Sequence, residues 1–501
     1  MTRIRLRLTG AIAFVSSIYG QLIGLLFSIL IARRLAPDVF GSWAYIGFLI
    51  SYSLIPFNLI NSWIARDSAR GRKVQVPVLI ASSFLFPPSV IIYLAVAYYT
   101  HSQIATDLSV LLLGLLVLIP NSLVNLYAAI VTGYAPHLQV VGSMLFETVK
   151  LLVAVALVLG LKDVSLNAAI LSVSLGYIAY LMFLVVIARE TLGPEDIRGA
   201  LGRWLRGSVL SGVAIAVYTF YGLDILLISI FTGGTLITGY WQAALIVSSL
   251  INAPSLLIGA LFQRLLAGGD MRDASKSLHF TLTLAVPLFF GIVVLSDYLL
   301  SILNPLYAEV WPVASILAAT TFVSIVYTFY TTIISATETI DQTGVPRLRE
   351  YLRSRIAFTI YVMGATVPVY LVPILVILTT FEGPPSLTLT AIASVKLLVT
   401  SLQTMIYYLY VRRHVRLSIS TREVVPYFSS SLAMMSVILT VKQMLGPPAP
   451  QLFSTLADFG ALALIGASVY FPLLYATSGR FRSLVRDLRA FFQGILRGPG
   501  L

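Results

Sequence analysis

The chain is a succession of long apolar runs separated by short polar connections. Fourteen such runs can be marked, over approximately 10–31, 41–62, 76–99, 108–132, 139–160, 166–188, 208–230, 236–262, 279–302, 311–335, 356–379, 387–410, 425–444 and 455–477. Each is long enough to cross a hydrocarbon core of about 30 Å as a helix, and helices satisfy their own backbone groups where no water is present. Pro56, Pro120, Pro254 and Pro287 fall inside these runs. A spanning helix tolerates them because neighbouring helices satisfy the freed backbone groups. The pattern predicts an all-α integral membrane protein with about fourteen spans and no substantial soluble domain.

The polar connections then orient the chain. With the N-terminus placed in the cytoplasm, 27 of the 33 Lys and Arg fall in cytoplasmic segments, four (Arg33, Arg34, Lys162, Lys442) in external loops and two (Lys150, Lys396) within helices. That bias predicts a multi-pass protein of the cytoplasmic membrane with both termini inside. It also accounts for the net charge of +13 without nucleic acid, since the excess faces the cytoplasmic leaflet. Composition agrees: 58% of the 501 residues are hydrophobic and 11% charged, with a mean hydropathy of +0.93. No cysteine is present, which excludes disulfides, thiolate metal sites and thiol nucleophiles. The basic start resembles a signal peptide, but its apolar stretch runs on to about Ile31 and is read as a retained first helix. After the last span, Phe481, Leu484, Val485, Leu488, Phe491, Phe492, Ile495 and Leu496 follow helical spacing with Arg480, Arg482, Arg486 and Arg489 mostly between them. This predicts an amphipathic cytoplasmic tail, either a simple anchor or a regulatory element.

An internal repeat is visible. Residues 41–66, shifted by 198, match 239–264 at Gly41/Gly239, Trp43/Trp241, Ser51/Ser249, Pro56/Pro254, Leu59/Leu257, Ile60/Ile258 and Arg66/Arg264. The two segments are the second and eighth spans, so six helices separate them and their orientation is the same. A parallel repeat implies two six-helix bundles related by an axis along the membrane normal, an arrangement typical of transporters. The expected division is 1–205 for the first lobe, 206–410 for the second, 411–477 for two extra helices and 478–501 for the tail.

The segment ILIARRLAPDVFGSWAYIGFLISY resembles the first helical hairpin of polysaccharide-biosynthesis flippases, with Arg34, Leu35, Pro37, Asp38, Phe40 and Gly41 in the places of the pattern. The segment YTFYGLDILLISIFTGGTLITGYWQAA resembles the second-half signature of the same family through Asp224, Gly239, Tyr240 and Ala243. This is the Wzx-like branch of the superfamily that also contains multidrug (MATE) exporters and lipid II flippases. The resemblance implies a MATE-like fold of two bundles around a central cavity open to one side at a time. It implies as partner a lipid-linked oligosaccharide on a polyprenyl phosphate or diphosphate, carried across the membrane. Membrane lipids and a coupling proton or sodium ion are the further partners, and no cofactor is expected.

Ionisable residues inside spans are the first candidates for chemistry, because each is costly unless paired or wetted. Glu147 and Lys150, three apart in the fifth span, form either a locked ion pair or a cavity pair in which Lys150 meets a phosphate. Asp224 shares three-residue spacing with Tyr218 and Tyr221, which puts two phenols and a carboxylate on one face. That face either meets sugar hydroxyls or a driving ion, or bonds neighbouring helices. Lys396 is either a phosphate contact or a packed, snorkelling side chain. Arg33 and Arg34 act either at an outer mouth or as interfacial anchors. Tyr52, Asn58 and Asn61 in the second span, and Gln242, Ser248 and Asn252 in the eighth, line a groove or join helices.

Enzyme signatures are missing: the chain has no Walker A motif, no HExxH and no paired-carboxylate loop. The leading expectation is a non-enzymatic flippase. A MATE-type antiporter of organic cations is the alternative, and Lys150 and Lys396 weigh against the acidic cavity it needs. A membrane glycosyltransferase or O-antigen polymerase is a third reading, opposed by external loops of only about ten residues.

Overall fold

The computed structural model describes residues 6–104, 106–161, 165–193, 196–255, 258, 271–338, 348–381, 383–415 and 421–486. Among these residues the chain is helical throughout, with no strand. The helices at the places of the expected spans are α1 (Leu6–Arg34), α2 (Pro37–Ser53 and Ile55–Ala69), α3 (Gln75–His101), α4 (Leu108–Leu112 and Leu115–Tyr134), α5 (Pro136–Val155), α6 (Leu166–Ala188), α7 (Ile197–Tyr221 and Asp224–Phe231), α8 (Leu236–Ser249), α9 (Met271–Leu303), α10 (Trp311–Ala336), α11 (Arg355–Thr380), α12 (Pro385–His414), α13 (Thr421–Leu445) and α14 (Leu452–Thr477). Twelve helices among the described residues are long and apolar enough to cross a membrane, or thirteen when the bent α2 is taken as one span. The chain is therefore a multi-pass membrane protein. The expected first span corresponds to α1, which runs for 29 residues.

Two compact units pack separately: Met1–Ile246 with Thr337–Gln403, and Val247–Ala336 with Thr404–Leu501. In the first unit α2 bends by 56° at Leu54. The cause is Pro56, whose ring clashes with the carbonyl four residues back and which offers no N–H. The bent α2 is pressed against α7. Trp63 covers Gly207, where a Cβ would stand 2.2 Å from the indole, and Trp63 Nε1 donates to Ser211 Oγ at 3.2 Å. At the end of α2, Asp67 is buried at 4% exposure. Its carboxylate accepts from Arg72 Nη1 (2.8 Å), from Arg203 Nε (3.3 Å) and Nη2 (3.1 Å), and from Trp204 Nε1 (3.0 Å). α7 thus begins well before the apolar run at 208. Asp196 caps it by accepting from Gly199 N at 3.0 Å, and its first turns are rich in Arg, which hydropathy alone did not count as helix.

The starts of α2 and α8 cross at their glycines. A Cβ on Gly41 would lie 1.7 Å from the Thr235 carbonyl oxygen, and one on Gly239 would lie 2.2 Å from the Pro37 carbonyl oxygen. Gly41 and Gly239, and likewise Pro37 and Thr235, are separated by the 198 residues of the repeat. Each glycine meets the counterpart of its own neighbour four residues back, a reciprocal contact of the kind a two-fold axis produces. Only glycine lets two helix backbones approach this closely. Thr235 Oγ1 donates to the Asp38 carbonyl at 2.8 Å and pairs with Ser42 Oγ at 3.1 Å.

The second unit is built on α9, α10, α13 and α14. Phe289 stacks on Phe322 at 5.2 Å, and Phe428 meets Phe322 edge-on at 6.0 Å. Lys442 Nζ, expected in an external loop, donates to Asp297 Oδ1 (2.8 Å) and to the Val294 carbonyl (2.7 Å) from the last turns of α13. Glu423 is met by His279 Nε2 at 3.3 Å and by Arg480 Nη2 at 2.7 Å. Of the expected tail, helix continues from Gly479 to Arg486, with Ser478 Oγ accepting from Phe481 N at 3.2 Å. Leu488, Arg489, Phe491, Phe492, Ile495 and Leu496 lie outside the described residues, as do Arg3, Arg5, Lys162, Leu257 and Arg264.

Candidate functional site

The site is built on a break in α7. The helix ends at Tyr221, passes through Gly222 and Leu223, and restarts at Asp224. At membrane depth an interruption of this kind is tolerated where other groups satisfy the backbone, and it is a usual place for binding. Here Tyr52 from α2 donates its hydroxyl to the carbonyl of Thr219, one turn before the break. Asp224 opens the second segment, and its Oδ1 accepts from Ile225 N at 2.9 Å.

Asp224 is buried at 3% exposure. Its Oδ2 accepts from Lys396 Nζ of α12 at 2.6 Å and from the Tyr370 hydroxyl of α11 at 3.1 Å. Lys396 also faces two rings, Trp241 at 5.6 Å and Tyr370 at 6.0 Å. Beside this pair lies a neutral network. Tyr221 stacks on Tyr370 with centroids 5.3 Å apart. Tyr221 Oη is 2.9 Å from the Met363 carbonyl it donates to and 2.5 Å from Thr366 Oγ1. Gln403 Nε2 donates to Tyr221 Oη at 2.8 Å and to Thr366 Oγ1 at 2.7 Å. A carboxylate, an ammonium, two phenols, a carboxamide and a hydroxyl thus converge from three helices of the second half. The group can neutralise and hydrogen-bond a polar head.

The candidates fall into three sets. Asp224, Lys396 and Tyr221 come together. Tyr218 does not share their surroundings: it is 55% exposed, because the break after Tyr221 interrupts the three-residue spacing that would have aligned it with Asp224. Glu147 and Lys150 pair with each other at 2.6 Å, against α1 instead of α7. Glu147 Oε2 would be 3.3 Å from a Cβ on Gly24, and Lys150 Nζ lies 4.7 Å from the Phe27 ring and 4.8 Å from that of Phe146. Arg33 and Arg34 close the last turn of α1, the first half-buried and the second exposed, where cations favour a helix C-terminus. Asn58 and Asn61 join Asn125 of α4: Asn61 Nδ2 donates to Asn125 Oδ1, and Asn125 Nδ2 to Asn58 Oδ1 at 3.2 Å.

Sequence reasoning missed Tyr370, Gln403 and Thr366. Two signals were present. Gln403 is seven residues after Lys396, two helical turns along the same face. Tyr370 sits between Pro368 and Pro373 inside a spanning helix, a composition that marks a helix with freed carbonyls.

Among the described residues, no cluster of His, Cys, Asp or Glu fit to hold a metal ion is present. The fold is that of a polytopic α-helical membrane protein. The chain shares its fold with the lipid II flippase MurJ in an inward closed conformation, with a TM-score of 0.62 at 13% identity, covering 94% of this chain and 99% of that one. It shares it also with the eukaryotic MATE transporter AtDTX14 (TM-score 0.56, 12% identity, 85% and 99% covered). An inward-facing multidrug resistance MATE transporter of the MOP superfamily is similar too (TM-score 0.53, 12% identity, 81% and 97% covered). No protein-family model and no curated protein matches the sequence.

Proposed function

We propose that the protein moves the head of a polyprenyl-phosphate- or diphosphate-linked oligosaccharide across the cytoplasmic membrane by alternating access. In this reading the N- and C-termini are cytoplasmic, and the lobes 1–205 and 206–410 rock about the repeat axis. The observation that carries it is the pairing of buried Asp224 with the partly exposed Lys396 beside the break in α7. A sugar and phosphate head cannot enter hydrocarbon unaided, because its charged and hydroxyl groups lose their water. It needs a cation for the phosphate, with hydroxyls, carboxamides and aromatic faces for the sugars. Lys396, Gln403, Thr366, Tyr221 and Tyr370 provide that set. The fold shared with a lipid II flippase supports the same reading. The MATE neighbours keep an ion-coupled drug antiporter as the second reading. An organic cation would meet two acids already neutralised, Asp224 by Lys396 and Glu147 by Lys150, so the flippase is preferred. No catalytic role is assigned to any residue.

The test is reconstitution in liposomes with a fluorescent polyprenyl-diphosphate oligosaccharide, following its sidedness by quenching from outside. Flipping faster than in protein-free liposomes is expected, with Lys396→Ala at least tenfold slower than the parent. Equal rates with and without protein, together with uptake of an organic dye cation, would replace this reading by the antiporter.

A further inference from the structure

We infer that Lys396 is an exchangeable partner: an anionic phosphate head takes its ammonium from Asp224, and Asp224 then binds one proton, which travels with the head. The inference rests on the transport reading above and specifies its coupling.

The two members of the pair differ in access. The Asp224 side chain is 4% exposed and that of Lys396 27%. An approaching anion therefore meets the ammonium, which sits on a flexible four-carbon stem, before it meets the carboxylate. A second group awaits an acceptor. Trp241 is fully buried, its ring 5.6 Å from Lys396 Nζ, and its Nε1 has no hydrogen-bond partner among the described residues. A phosphate held by the ammonium brings acceptor oxygens into the neighbourhood of this ring.

Asp224 then loses its countercharge. The groups that face it are Tyr370 from α11, Lys396 from α12 and Tyr52 from α2, and Tyr221 of its own helix stacks on Tyr370. Lys396 is the cation in that set and the rest are phenols. Without the ammonium the carboxylate keeps the Tyr370 hydroxyl and the Ile225 N–H, and a buried charge left without a partner is neutralised by taking up a proton. The balance is closed: carboxylate, ammonium, phosphate anion and one proton become a carboxylic acid and an ammonium–phosphate pair. No covalent bond of the substrate forms or breaks. On release the ammonium returns to Asp224 and the proton leaves on the side to which the head is delivered.

Binding of farnesyl diphosphate to the purified full-length protein, measured calorimetrically in two buffers of different ionisation enthalpy, tests the exchange. The parent should take up about one proton more per ligand than Asp224→Asn. Equal proton uptake by parent and Asp224→Asn overturns the exchange. A test without variants uses the liposomes above under an imposed pH gradient: flipping of the parent should speed up when protons and heads run the same way. Flipping that ignores the gradient overturns the exchange and leaves the transport reading standing. Absence of flipping removes both.

Discussion

A carboxylate shut away from water must be met by donors, and Asp67 is met by two guanidiniums and an indole N–H. Asp67→Ala would leave the buried Trp204 N–H without its acceptor and both guanidiniums without their carboxylate. The expected loss is about 2 kcal/mol, the size of a lost hydrogen bond to a charged group, because both guanidiniums still reach water. A fall in melting temperature of the detergent-solubilised protein measures it, and Asp67→Asn should recover part. Individual residues such as Asp224 and Lys396 were legible as costly ions in apolar runs. Their meeting was not, since 172 residues separate them and only the tertiary fold brings the two side chains together. Glu147 and Lys150 were easier, because one turn of helix brings them together without any tertiary contact.

At the scale of elements, the apolar runs are helical among the described residues, but the bends did not follow from hydropathy. Pro56 marked the bend in α2. The break in α7 had only Gly222 as a signal, and glycine occurs in most of these helices without breaking them. The extension of α7 before residue 208 was hidden by its arginines. Its packing makes a prediction. Gly207 lies under Trp63, so Gly207→Val should push α7 off α2 at a cost of about 1–3 kcal/mol, the usual range for overpacking. Gly212→Ala, whose added Cβ would meet Leu59 Cδ2 at an ordinary 3.4 Å, should be nearly silent. Thermal melts of the two variants decide it.

For the whole molecule, the absence of cysteine gives a clean background for mapping sidedness. Ser483→Cys should react with an impermeant maleimide only when the cytoplasmic face is opened, and Ser102→Cys in intact cells. The opposite pattern would reverse the orientation drawn from the Lys and Arg bias. The repeat is read from seven matched positions in the sequence, while the close approach of Gly41 and Gly239 to each other's helix needed coordinates.

That crossing has a mechanical consequence. Points on a rotation axis stay where they are when the bodies around it trade shapes. If the two halves exchange conformations during a cycle, spin labels placed at the exposed Asp38 and Leu236, close to the crossing, should report one unchanged distance, while labels at the remote ends of α2 and α8 report two. The crossing would then be the fulcrum of the cycle, and the two glycines would be bound to each other in evolution, since a side chain on either one alone would collide with the opposite backbone.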